Sequence, residues 1–529
     1  MAKYEIKDGV GIIPEGTTVI EKDAFEGCKD LTSVVIPNSV TVIAHGAFKF
    51  CVNLANIVIP DSVTEIGDEV FYGCKSLTHV VIPDSVIKIK DEAFCSCRGL
   101  SQIDLGTSVK EIGEEAFNKC TGLTSVVIPD SVHTIGSMAF ENCTSLTSIT
   151  IGKSVASIGY GAFRYCQSLK DIRVSEGNET FDSRNNCNAI IETETKKLVF
   201  GCKTTVIPDS VTKIGERAFY ACEGLTNIDV GDSVTEIGEQ AFYFCTGLTS
   251  VIISKSVQTL AFFPYGSGQS PFEGCSNLIS IHIDPENKTY DSRGNCNAII
   301  ETKTNKLIVG CNNAFIPDSV TVIGSRAFMG CTGLTSLVIP TSVTKICEEA
   351  FSGCSGLTSI VIPDSVTEID YDAFRDCTGL TSIEISHSLT QIDSRAFRGC
   401  SGLTSIVISE SVTAIRGSAF AHCTGLTDIV LPKSVTWIGE YAFDGCGNLK
   451  SVVIPQSVVR IDAQIFDNCP NLESVYCYAS DPAQFNIDRG CELGGHQATL
   501  YVPSDKGVVA AYKKKAVWKK FAAIKPMED

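Results

Sequence analysis

The stretch Leu123-Thr-Ser-Val-Val-Ile-Pro-Asp-Ser-Val-His-Thr-Ile-Gly-Ser-Met-Ala-Phe-Glu-Asn-Cys143 holds the whole plan of this chain. Val126 and Ile128 alternate with Val127, so an extended segment puts the first two on one face and Val127 on the other. Pro129 has no amide proton to continue a ladder and ends the strand. Asp130 and Ser131 suit the turn that follows. Val132 and Ile135 return to the interior from a second short extended piece. Gly136 permits a tight or left-handed bend. Ala139, Phe140 and Cys143 then follow at helical spacing, which predicts a single turn, of 3₁₀ type, closing a coil.

The same pattern recurs at a fixed step along nearly the whole chain. Its phenylalanines stand at Phe25, Phe48, Phe71, Phe94, Phe117, Phe140 and Phe163, then Phe219, Phe242 and Phe272, then at the same regular step from Phe328 to Phe466. Each is followed three positions later by a cysteine, giving seventeen pairs. Three intervals are longer than the rest: Phe163 to Phe219, Phe242 to Phe272, and Phe272 to Phe328. A fixed period of this size means stacked units, not a globule built around one pocket. No single unit can cover its own apolar side, so neighbours must stack to exclude water. Five or six buried groups per unit, at roughly 1.5–3 kcal/mol each, oppose an ordering cost of about 1–2 kcal/mol per residue.

Composition agrees with a folded chain: of 529 residues, 44% are hydrophobic and 20% charged. No run approaches the roughly 18–20 apolar residues of a membrane helix. The start, Met1 to Gly9, has no apolar stretch of the secretory kind, so the reading leaves two places: the cytoplasm, or outside the cell with a leader missing. The net charge of −18 argues against a nucleic-acid partner, which needs clustered Lys and Arg. The acid is thinly spread through Pro-Asp-Ser-Val motifs and serves solubility or the steering of a cationic partner.

Seventeen of the 25 cysteines share one site in successive units, so they form an internal ladder of thiols behaving as small buried hydrophobes. No C-x-x-C occurs, and no metal site is expected. The other eight are Cys95, Cys187, Cys202, Cys296, Cys311, Cys347, Cys477 and Cys491. Cys187/Cys202 and Cys296/Cys311 flank matching segments, and their sulfurs would face one another if those segments are hairpins.

The two long insertions, near 175–206 and 284–315, are copies of one another, as Asn186-Cys-Asn-Ala-Ile-Ile-Glu192 and Asn295-Cys-Asn-Ala-Ile-Ile-Glu301 show. Apolar runs on either side of a Glu-Thr-x-Thr-x-Lys turn predict a β-hairpin in each, either a projecting contact element or an edge-protecting decoration. A third insertion near 261–270 contains Phe262, Phe263 and Tyr265, a candidate contact loop unless the rings tuck back onto the coil. Residues 1–28 read as a half unit and cap, 29–475 as the array, and 476–529 as a C-terminal cap with a helix across Val508 to Phe521.

Units of the form L-T-S-[VI]-x-I-P-x-S-V-T-x-I-G-x-x-A-F-x-x-C resemble those of BspA-like leucine-rich repeat proteins over about residues 10 to 475. The resemblance implies a leucine-rich repeat solenoid, a curved right-handed coil with a parallel β-sheet on its concave face and short second strands and turns elsewhere. It also implies a protein-binding or adhesion module, secreted or at the cell surface, that meets a host matrix protein or other protein ligand. An intracellular scaffold using the same surface is the alternative.

Outward positions on the concave strands would meet that ligand. The residue between the two inner apolar positions is apolar or aromatic in eleven of seventeen units, nine of them valine. This is either an interaction stripe or the ordinary preference of strands for β-branched residues. The departures Asp104, Thr150, Arg173, Asp229, His282 and Glu384, with Tyr476, are the candidate binding residues. No cofactor is implied. Seven scattered histidines and the lack of any G-x-S-x-G, P-loop or H-E-x-x-H pattern point away from an enzyme.

Overall fold

A computed structural model describes residues 3–261, 270–485 and 493–528. It divides into two compact units, Met1–Leu248 with Thr259–Ala261, and Thr249–Gln258 with Phe262–Asp529. Among the described residues no helix is long and apolar enough to cross a membrane.

Most regular rungs contribute two short strands, each in a parallel ladder; at Ser336 and Val407 the first is reduced to a single bridge. In the first unit the first-strand ladder runs through Ser33–Val35 and Asn56–Ile57, His79–Val81 and Gln102–Asp104, then Ser125–Val127, Ser148–Ile151 and Asp171–Val174. The second ladder is unbroken from Val19–Ile20 to Ser157–Ile158, with equivalent residues of neighbouring rungs in register, such as Ile112↔Ile135. At the N-terminus Glu5–Lys7 lies antiparallel to Val10–Ile12, which itself continues the first ladder. That hairpin covers the edge the half rung leaves open. The second unit repeats the plan and carries its first ladder into the C-terminal segment: Ser474–Cys477 pairs with Thr499–Val502, and that with Ala523–Pro526. A helix at Lys506–Lys514, capped by Asp505, packs its buried Tyr512 against Trp518 there.

Phenylalanines form the centre. From Phe25 to Phe163, and from Phe328 to Phe466, successive rings stack at 5.0–6.1 Å between centroids. All are buried. Beside them the cysteines do more than fill space. Between regularly spaced rungs the thiol donates to the phenylalanine carbonyl of the rung before, as in Cys143 Sγ to Phe117 O at 3.3 Å and Cys400 Sγ to Phe374 O at 3.1 Å. The thiol thus supplies a second donor to a carbonyl in an apolar setting where water cannot.

The other recurring polar residues also bond one rung back. Ser131 Oγ donates to Val109 O at 2.7 Å, and Ser342, Ser434 and Ser457 make the same bond. Thr147 Oγ1 donates to Thr124 O at 3.0 Å. The Pro-Asp-Ser-Val and Leu-Thr-Ser motifs are therefore rung-to-rung fasteners.

Two local expectations change in detail. The closing segment makes the i→i+3 bonds of a 3₁₀ turn, with Cys143 N to Phe140 O at 3.3 Å. Left-handed residues at Met138 (φ 54) and Asn142 (φ 60) break it into successive tight turns. Gly136 is needed for a different reason from its bend: a Cβ there would sit 2.5 Å from the backbone of Gly113, so the rungs approach too closely for any side chain.

The long insertions are antiparallel hairpins, Ala189–Glu192 with Lys197–Gly201 and Ile299–Glu301 with Lys306–Val309. They do not project: each forms the end of a second-strand ladder and covers its open edge. Lys197–Gly201 pairs in parallel with the second strand Lys213–Ile214, and Lys306–Val309 likewise with Val322–Ile323. Ile190, Ile191 and Leu198 are fully buried, so each hairpin substitutes for a rung; an apolar strand pair cannot stand free in water. Cys187, Cys202, Cys296 and Cys311 are free thiols in this arrangement.

Candidate functional site

The pleat of the first-strand ladder turns one residue per rung outward between two buried ones. Val126 and Ile128 are buried while Val127 is 66% exposed. The valines at 35, 58, 81, 338, 361, 407 and 430 are likewise exposed, Val338 to 82% and Val407 to 80%. Successive strands in such a ladder stand about 4.8 Å apart, so Val35, Val58 and Val81 in the first unit, and Val338 with Val361 and Val407 with Val430 in the second, make short, closely spaced apolar runs.

The seven candidates proposed for the sheet face all lie in this column. Asp104, Arg173, Asp229, His282 and Glu384 are exposed, and Thr150 and Tyr476 half-buried. In the first unit Thr150 is directly opposite both Val127 and Arg173. Arg173 is held by Asp171 of its own strand, Nε to Oδ1 at 3.0 Å and Nη2 to Oδ2 at 3.2 Å. Asp104 accepts from His79 Nε2 at 2.9 Å and from the Gln102 amide, which together hold its carboxyl below the usual carboxylate range. In the second unit His282 sits opposite Ile252, and Glu384 between Val361 and Val407. Tyr476 stacks on Tyr501 at 5.0 Å, and Lys525 follows in the same column. Asp229 turns back on its own loop, Oδ1 accepting from Gly231 N at 3.0 Å. Phe262, Phe263 and Tyr265 lie outside the described residues.

Three neighbours escaped the sequence reading: His79 and Asp171, which brace Asp104 and Arg173, and Tyr501. The signal was present for the first two, because both replace the serine usual one position ahead of the inner residue. Tyr501 lay beyond the regular period. Several of the outward threonines after the leucine are occupied by rung-to-rung bonds, such as Thr124 Oγ1 to Ser101 O and Thr358 Oγ1 to Thr335 O, both at 3.3 Å.

Chemically this surface can hold a protein by apolar contact and a few fixed charges. Buried thiols supply no nucleophile: desolvation pushes Cys377 and Cys423 up to about 12, so they stay protonated at neutral pH.

Paired parallel ladders with a leucine-led first strand define a leucine-rich repeat β-solenoid. The match extends to a specific family: the model of the BspA type leucine rich repeat region fits residues 11–120, 88–195, 197–307, 298–427 and 390–481, and the chain belongs to that family. Among solved structures it is similar to a leucine-rich repeat protein of Eubacterium ventriosum, with 22% identity over 66% of this chain and 83% of that one, at a TM-score of 0.49. A leucine rich cell surface protein of Faecalibacterium prausnitzii shares 27% identity over 86% and 89%, at 0.34. The pneumococcal vaccine antigen PcpA shares 15% over 99% and 96%, at 0.31. Among curated proteins, none matches.

Proposed function

We propose that this protein is a non-catalytic binding or adhesion module. In this reading the outward face of its first-strand sheet engages a host or partner protein, from the cell surface or after secretion. The observation that carries the reading is the runs of exposed valines on the first-strand face of each unit, interrupted at few positions by charge. Contiguous apolar surface of this kind is seldom left bare without a partner. Arg173 and Glu384 would set which partner is accepted, because a charge left unpaired in an apolar interface is costly.

The test is capture of a partner from the native environment by the intact chain, followed by affinity measurement. Arg173→Glu and Glu384→Lys should each weaken capture. Unchanged affinity after reversal of every outward charge discards the face. A scaffold inside the cell is the second reading, favoured by the thiol-rich interior, which suits a reducing compartment. Protease accessibility on intact cells separates the two.

A further inference from the structure

The first hairpin interrupts the regular stack. The second ladder of the first unit stops at Ser157–Ile158, and the next strand at that level, Phe181–Asp182, begins a separate sheet with the hairpin. Ile158 is only half-buried, where Ile112 and Ile135 are fully buried. Phe163 meets Phe200 at 47°, whereas the phenylalanine rings before it stack within 20°. The misfit opens a cavity of about 410 Å³. That is a volume suited to one small molecule.

Its floor is apolar, formed by Phe163, Phe181, Ile190, Val199 and Phe200. Its rim is aromatic and cationic. The Arg164 guanidinium lies 6.0 Å from the Tyr160 ring and 5.3 Å from Tyr220, and that of Arg217 lies 5.0 Å from Tyr160. Glu141 holds Arg164 through Nε, while Arg217 gives Nη1 to Glu216 and Nε to Gln240. Among the described residues, Arg164 Nη1, Arg217 Nη2 and Lys197 Nζ make no hydrogen bond. Lys197 has no ion pair there either. Arg164, Arg217 and Lys197 thus line the cavity together with Glu192 and Glu216, while Glu141 behind Arg164 is its ion-pair partner.

We propose that this cavity binds a small carboxylate with a flat apolar body, an aromatic acid. The body fits the floor and packs against Tyr160 and Tyr220, while the carboxylate accepts the spare guanidinium and ammonium protons. A sugar acid fits worse, because its ring hydroxyls would face five apolar side chains with no partner to satisfy them. An aromatic amine is disfavoured because its cation would sit beside the unpaired Lys197 ammonium and the two guanidinium groups.

Calorimetric titration of the full chain with 4-hydroxyphenylacetate, its neutral amide and glucuronate tests the assignment. The acid should bind, the amide about tenfold more weakly, and glucuronate more weakly than the acid. Arg217→Gln and Lys197→Gln should each reduce affinity for the acid several-fold while leaving the thermal unfolding curve in place. Tyr160→Ala, on the 49% exposed rim residue, should also weaken it. The proposal is overturned if the acid gives no binding at millimolar concentration. It is equally overturned if the amide or glucuronate binds as tightly, or if both charge variants keep full affinity. Arg173→Glu on the sheet face should leave this binding unchanged, so the two sites fail or survive separately.

Discussion

Removing one ring from the phenylalanine stack is the most direct challenge to the picture of rungs held by a shared core. Phe397 is 1% exposed and stacks on Phe374 at 5.5 Å and on Phe420 at 5.6 Å. Phe397→Ala removes a buried aromatic and leaves a cavity that two neighbours cannot both close. Such changes cost about 3–5 kcal/mol. The lost ring contacts, about 0.5–1.5 kcal/mol each, place this one in the upper part of that range. Urea unfolding is read conveniently by Trp437, two rungs away, whose indole Nε1 donates to Asp462 at 2.9 Å and whose ring lies between Arg416 and Arg460. With a slope of about 2–3 kcal/mol/M, the midpoint should fall by about 1.5–2 M. Phe397→Leu, which keeps most of the volume, should cost less than half as much. A midpoint shift for the alanine variant below about 0.3 M would mean less than about 1 kcal/mol. The column would then not be the core, and the stacking argument would fail.

The thiol ladder predicts a specific alkaline weakness. Burial raises Cys51, Cys377 and Cys423 from about 9 to about 12, so the native state keeps protons the unfolded chain releases. Their contribution is complete below about pH 9 and falls by about 1.4 kcal/mol per pH unit per thiol as pH rises towards 12. Urea midpoints at pH 7 and pH 10.5 should therefore diverge, and less so in a Cys377→Ala/Cys423→Ala variant; parallel losses in both proteins would contradict the assignment. Gly310→Ala should destabilise by at least about 1–3 kcal/mol, because the new Cβ would lie 2.1 Å from the Phe328 ring. Thermal unfolding checks it, and an unchanged midpoint would remove the hairpin from the core.

Much of the fold was legible because the same environment is sampled seventeen times. Val126, Ile128, Val132, Ile135, Ala139 and Phe140 declare themselves buried by returning unchanged in rung after rung. The exposed column containing Val127 follows from strand alternation alone. The position of Asp104, Arg173 and Glu384 on the outer face was readable for the same reason. Their partners were less so: His79 reaches Asp104 diagonally across strands, and Asp171 braces Arg173 along one strand, contacts that depend on rotamers. The role of the cysteines was half visible. Periodicity placed them inside, but the bond from Cys143 to Phe117 O spans a rung and depends on how the turns lie against each other.

What the amino-acid order settled unaided is everything with a period: the two ladders, the ring column, the thiol column and the outward face, since identical rungs can bury their apolar sides only against copies of themselves. What the tertiary structure alone decided is everything at the breaks. A hairpin signal at 189–201 says that two strands pair, not where they go. Only packing against Lys213–Ile214 and the Phe163 and Phe219 rings makes the hairpin a substitute rung. The imperfect fit of that substitute opens the cavity beneath Tyr160.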